Sequence, residues 1–150
     1  MSVSLILVPL AISAVVAAHA SRTGKDGAGR LICHVQTRMR DRALLAEALR
    51  YTGADVTVLD DALVANWEGV RATFQRDDDG VWTAHLEGFV DDQRAVEIVT
   101  AVDAGYGRLV QGAVLDRLRE RAPAAGLRLE SESMGADASV SLVFAVEDRV

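Results

Sequence analysis

Aromatic side chains are scarce in this chain, at 5% of 150 residues. Valine, leucine and alanine must therefore fill whatever core it builds. A single cysteine, Cys33, excludes an internal disulfide and fits a reducing compartment. Positive charge is short as well: the net charge is −6, and Lys25 is the one lysine among 16 basic residues. That balance argues against a general nucleic-acid binder, which needs a basic footprint. Three histidines, one of them in the apolar leader, make no credible zinc set. No glycine-rich phosphate loop, Walker motif, internal repeat or low-complexity stretch occurs. No cofactor, metal site or catalytic residue is expected from these patterns.

What is present divides at residue 21. Residues 1–21, MSVSLILVPLAISAVVAAHAS, carry no charged side chain. About 20 helical residues rising ~1.5 Å each would span the ~30 Å hydrocarbon core of a bilayer. We read the segment as an N-terminal apolar helix, either a membrane anchor or an assembly helix. Ala18-His19-Ala20 resembles a signal-peptidase site, but the basic n-region of a secretory signal is missing. Ser4, Ala11, Ala14 and Ala18 are small enough for close helix packing, and Pro9 would kink the helix. Arg22, Lys25 and Arg30 follow directly. By the positive-inside tendency they would hold the C-terminal domain in the cytoplasm. Residues 22–30 then read as a flexible linker, and residues 31–150 as one α+β domain.

Within that domain the organising element is the stretch FVDDQRAVEIVTAVDAGYGRLVQGAVLDRLRERA. Ala95, Val99, Val102, Tyr106, Leu109 and Ala113 recur at spacings of three and four, the stripe of a helix that covers a sheet. Asp91 and Asp92 suit its start, and Arg117, Arg119 and Arg121 its end. A strand is expected over residues 31–37, then a helix capped by Asp41 with Leu44, Leu45, Ala48 and Leu49 inward and Gly53 at its close. Val56, Val58 and Leu59 suggest a short strand, and residues 60–69 a connection carrying Trp67. The clearest local signal is a hairpin. Val70, Ala72 and Phe74 alternate with polar residues, Asp77-Asp78-Asp79-Gly80 turns the chain, and Trp82, Ala84 and Leu86 return. Two strands follow the long helix, LRLESES and the run holding Val140, Leu142, Phe144 and Val146. The order predicts a mostly antiparallel sheet with two main helices on one face, related to the ferredoxin-like split arrangement.

Three parts of this domain resemble one family. VQTRMRDRALLAEALRYTGA is similar to its opening strand and the helix pattern T-x-x-x-D-x-x-x-L-x-x-A-L. RATFQRDDDGVWTAHLEG is similar to its hairpin with a D-G turn and an aromatic return strand. VDAGYGRLVQGAVLDRLRERAPAAGLRLESESM is similar to its tyrosine-bearing helix and acidic strand. The chain thus resembles, over residues 32–146, the bacterial and plastid domain of unknown function 1257 family. Members lack the N-terminal apolar segment, and this chain lacks the tryptophan-bearing acidic segment expected after the hairpin. The resemblance implies no established activity. It does imply a role beside ring-forming AAA-type ATPases, near which members tend to be encoded.

Candidate sites are few. Cys33 and His34 are adjacent on a strand and point to opposite faces, so they form no nucleophile–base pair, though His85 is placed to reach one or the other across the sheet. Asp77, Asp78 and Asp79 read as a solvated turn, since the spacing of a calcium loop is missing. Gly105-Tyr106-Gly107-Arg108 either breaks the long helix or admits another backbone. Tyr106, Arg108 and His85 are the candidates for facing a partner or ligand. Arg38, Arg40 and Arg42, with Arg22, Lys25 and Arg30, are the candidates for lipid headgroups. The leading expectation is a non-enzymatic, membrane-tethered adaptor or subunit of a protein assembly. The competing expectations are a cytoplasmic self-assembling protein built on its N-terminal helices, and a ligand-binding or enzymatic domain with a pocket near Tyr106.

Overall fold

Alternating side chains and antiparallel pairing generate all the sheet structure of the computed structural model, which describes residues 1–7, 21–25 and 31–147. The elements run β1 (Ser2–Leu7), β2 (Ser21–Lys25), β3 (Leu31–Gln36), α1 (Arg42–Tyr51), β4 (Asp55–Val58), β5 (Ala62–Trp67), β6 (Val70–Arg76), β7 (Trp82–Gly88), α2 (Asp92–Arg121), a 3₁₀ turn (Pro123–Ala125), β8 (Leu127–Met134) and β9 (Val140–Val146). The fold is α+β, with two helices and antiparallel sheets.

Two compact units divide the chain. Ser13–Tyr106 holds a six-stranded sheet in the order β2-β3-β7-β6-β5-β4 together with α1. Met1–Ile12 and Gly107–Val150 form the second unit, whose three-stranded sheet runs β1-β9-β8. The unit boundary falls within the single helix α2.

In the six-stranded sheet, side chains of one parity are buried. Cys33 and Val35 of β3, Leu63 and Ala65 of β5, Ala72 and Phe74 of β6, and Ala84 and Leu86 of β7 are all fully buried. Helix α1 adds Leu45, Ala48 and Leu49 to this core, and the first half of α2 adds Ala95, Val99 and Val102. The Asp41 carboxylate accepts from the Leu44 amide at 2.9 Å and that of Asp91 from the Arg94 amide at 2.8 Å, so both helices begin on the expected caps. Gly105 does not break α2. An added Cβ there would make ordinary van der Waals contact with the Ala48 methyl group, 3.7 Å away, so the packing of α2 on α1 at this point does not require glycine.

Several expectations are corrected. Ser2–Leu7 is not helical: it is an edge strand, with Val3, Leu5 and Leu7 registered against Phe144, Leu142 and Val140 of β9. The Ser-Val-Ser-Leu alternation has the period of a strand, and β9 offers the matching apolar row. The rest of the expected apolar helix, residues 8–20, lies outside the described residues. Among the described residues no helix is long and apolar enough to cross a membrane. Ser21, expected to end the apolar helix, and residues 22–25, expected in the linker, form β2 and pair with β3, and residues 26–30 lie outside the described residues. Residues 62–67 are not a connection but strand β5, because Asp60 and Asp61 form a two-residue turn closed by the Leu59 amide on the Ala62 carbonyl at 2.9 Å. The strands after α2 do not extend the first sheet; they pair with each other and with β1.

The predicted stripe on α2 holds only for its first half. Ala113 is exposed, whereas Leu115 and Ala122 are buried with Val140, Leu142 and Phe144 in the second unit's own core. Leu7, Leu118, Leu127 and Leu129 pack around that cluster.

Candidate functional site

The segment between β3 and α1 is a junction of hydrogen bonds. The Thr37 hydroxyl donates to the Trp82 carbonyl, and the Trp82 amide donates to the Met39 carbonyl at 2.9 Å. The Arg40 carbonyl accepts from the Trp82 indole at 3.3 Å and from the Arg76 guanidinium at 3.2 Å. Tyr106 reaches the same segment from α2. Its phenol oxygen accepts from the backbone amides of Arg40 at 3.2 Å and Asp41 at 2.9 Å. The tyrosine therefore anchors the helix as its amphipathic ring suggests, but to a loop rather than to the sheet.

The three arginines grouped by sequence do not make one basic surface. Arg38 forms a two-pronged pair with the buried carboxylate of Asp103, at 2.9 and 2.8 Å. Arg40 donates to the Asp79 carbonyl at 3.0 Å. Arg42 donates to the carbonyls of Leu59 and Asp60, the latter at 3.2 Å. Each guanidinium thus ties the junction to a different neighbour. Of the other lipid candidates, Arg22 and Lys25 lie on edge strand β2 and Arg30 lies outside the described residues.

Tyr106, Arg108 and His85 are not brought together. Arg108 is exposed and two positions beyond Tyr106, about 200° around the helix. His85 points away from the helices altogether. It shares a cross-sheet row with Thr57, Val64, Thr73 and His34, on the face opposite Cys33 and Leu86. Cys33 is on the helix side, its sulfur 3.5 Å from a carboxylate oxygen of Asp92. Two clefts of about 340 and 360 Å³ open elsewhere, one beside Trp67, Arg71 and Glu87, the other beside Arg119, Pro123 and Glu147. Neither is lined by Tyr106, Arg108 or His85.

What sequence left open between Cys33 and His34 is the partner of His85. Its imidazole stacks on that of His34, with ring centroids 4.4 Å apart and planes inclined by 11°. Partial burial holds the His85 pKa below its ordinary value, the neighbouring His34 lowers it further, and a hydrogen bond to the Thr73 backbone opposes both. The exposed Arg71 and Glu87 lie one row away, 4.0 Å apart. The Asp77 carboxylate accepts from the amides of Asp79 and Val81 at 3.0 and 2.8 Å, which makes the acidic run a turn. Among the described residues no group of three or more His, Cys, Asp or Glu side chains is placed to hold a metal ion.

The sheet margins differ in kind. The β2–β3 ladder is irregular between Arg22 and Lys25, and the β8–β9 ladder between Leu129 and Ser131, where Arg128, Glu130 and Glu132 also line the strand. Bulges and charges of this sort blunt an edge. β4 keeps a regular register over all four pairs, with no proline, lysine or bulge. β1 is also regular, and its chain runs on into residues outside the described set. No protein-family model, curated protein or solved structure matches the chain.

Proposed function

We propose that the chain is a protein-binding adaptor or assembly subunit whose docking element is the six-stranded sheet. The observation that carries this reading is the one-sided cover of that sheet. Cys33, Phe74, Leu86 and their row-mates are sealed under α1 and the first half of α2, while the opposite face, apart from the buried Val64 and the half-buried Ile32, presents histidine, threonine, glutamine, arginine and glutamate. A polar sheet face with a regular bare edge offers backbone and side-chain hydrogen bonds to a second polypeptide. The resemblance to a family encoded beside AAA-type ATPases adds such an ATPase as the partner to test first. The reading does not depend on a membrane tether, and Ser2–Leu7, the start of the segment read as one, pairs with β9 in a sheet.

The test is the native size of the full chain, tagged and expressed at its natural level. Elution far above the 16.0 kDa of the monomer, with a second protein in fixed stoichiometry, is the expected result. Elution as a monomer overturns the reading, and a particle containing this chain alone replaces it with self-assembly.

A further inference from the structure

The β4–β5 hairpin fixes which backbone groups of β4 are spent. The Leu59 amide donates to the Ala62 carbonyl, and antiparallel pairing alternates from there. Thr57 and Asp55 therefore turn their N–H and C=O groups toward Val64 and Asn66 of β5. Val56 and Val58 turn theirs outward. Both valines belong to the helix-side row, registered against the buried Ala65 and Leu63, yet Val58 is 48% exposed. Leu59 is 47% exposed, and Tyr51, at the end of α1, 71%. The margin thus combines outward donors and acceptors with an apolar step that α1 does not finish covering.

Resting on the protein-binding reading above, we infer that β4 is the docking strand, and that it pairs with a strand of a partner protein whose alternate residues are apolar and whose ends carry lysine or arginine. The charge comes from the flanks of β4: Asp55 at its start, and Asp60 and Asp61 in the turn just past its end. The Arg42 guanidinium, held by the Leu59 and Asp60 carbonyls, offsets one of these three. A second copy is the wrong occupant. Antiparallel pairing of two β4 strands about Thr57 sets Asp55 of each near the Asp60-Asp61 turn of the other, and like charges across such a pair repel. A basic-flanked strand turns the same geometry into attraction. Its apolar row covers Val56 and Val58, and its backbone takes up their free groups.

The experiment uses the full chain and two synthetic peptides with one Val-Thr-Val-Ile core, flanked by two lysines at each end or by two glutamates. By amide NMR the lysine-flanked peptide is expected to shift Val56 and Val58 and slow their hydrogen exchange, and the glutamate-flanked one to bind at least tenfold more weakly. Val58→Pro removes an outward N–H that no bond among the described residues uses, so it should abolish binding and leave the unfolding midpoint nearly unchanged. If that variant does not fold, Asp60→Lys with Asp61→Lys at the exposed turn serves instead, and is expected to reverse the peptide preference. Equal binding of both peptides, or shifts confined to other strands, overturns the proposal. The native complex separates the two levels. If it forms in the wild type and survives in the folded Val58→Pro variant or the charge-reversed one, the β4 assignment fails and the protein-binding reading stands. If no complex forms in the wild type, that broader reading fails.

Discussion

The two faces of the six-stranded sheet are built by the same strands from alternate residues, and they have opposite characters. On one face Phe74, Leu63 and Leu86 are fully buried. On the other, the row through Thr73, His85 and His34 is half-buried and wholly polar at those positions. Backbone geometry cannot cause the difference, because it is shared. The cause is which face receives α1 and the first half of α2, and what holds them there. The apolar face is where stability resides, and the polar face and the β4 margin are where the proposed docking falls.

Breaking the apolar face should have the largest effect. Phe74→Ala removes a fully buried ring from the centre of the sheet and is expected to cost about 3–5 kcal/mol. Its sequence neighbour Gln75 is exposed on the other face, and Gln75→Ala is expected to cost under about 0.5 kcal/mol. Urea unfolding of the two variants measures the contrast directly, and equal losses would abolish the distinction between faces.

Next come the contacts that hold α2 over that face. Arg38→Ala leaves the buried Asp103 carboxylate without its two-pronged partner. Because Arg38 itself is partly exposed, the expected loss is about 2 kcal/mol, between the surface and fully buried cases. A loss smaller than that of Tyr106→Phe would reverse the ranking. In that variant two exposed backbone amides lose a phenol oxygen but can turn to water, so about 1 kcal/mol is expected. Urea unfolding midpoints of the pair decide it.

How much of this was legible in the sequence follows from range. Asp41, Asp91 and the Asp77–Gly80 turn act on amides two to four residues away, so local pattern found them. The helix stripe was readable through Val102 and misleading at Ala113, because one uninterrupted helix serves two cores and its buried side changes between them. The strand Ala62–Trp67 was hidden by its own turn, as two aspartates suit a loop start as well as a two-residue hairpin turn. Non-local pairings were out of reach. Nothing near Ser2 announces β9, nearly the whole chain away, and for His85 the sequence offered reach to Cys33 or His34 without deciding between them. The candidates Tyr106 and His85 were each placed by contacts of this long-range kind, which set them on opposite sides of the sheet rather than in one pocket.

The smallest effect belongs to the polar face, and its sign follows from burial. Above the ordinary histidine pKa of 6.5, His85 is neutral in both the folded and the unfolded chain and does not favour either. Below it the unfolded chain takes up a proton that the folded chain resists, because burial and then His34 disfavour the charged ring. Stability should therefore fall as pH drops below 6.5, and it should fall less in His85→Gln. The two causes can be separated by following the ring signals of His85 by NMR. In His34→Ala its midpoint is expected to rise but to stay below the ordinary value, since burial is the larger cause. A midpoint that returns fully to that value would make the charge of His34 the whole of the effect, and would mean that the polar face is as open to water at its centre as at its rim.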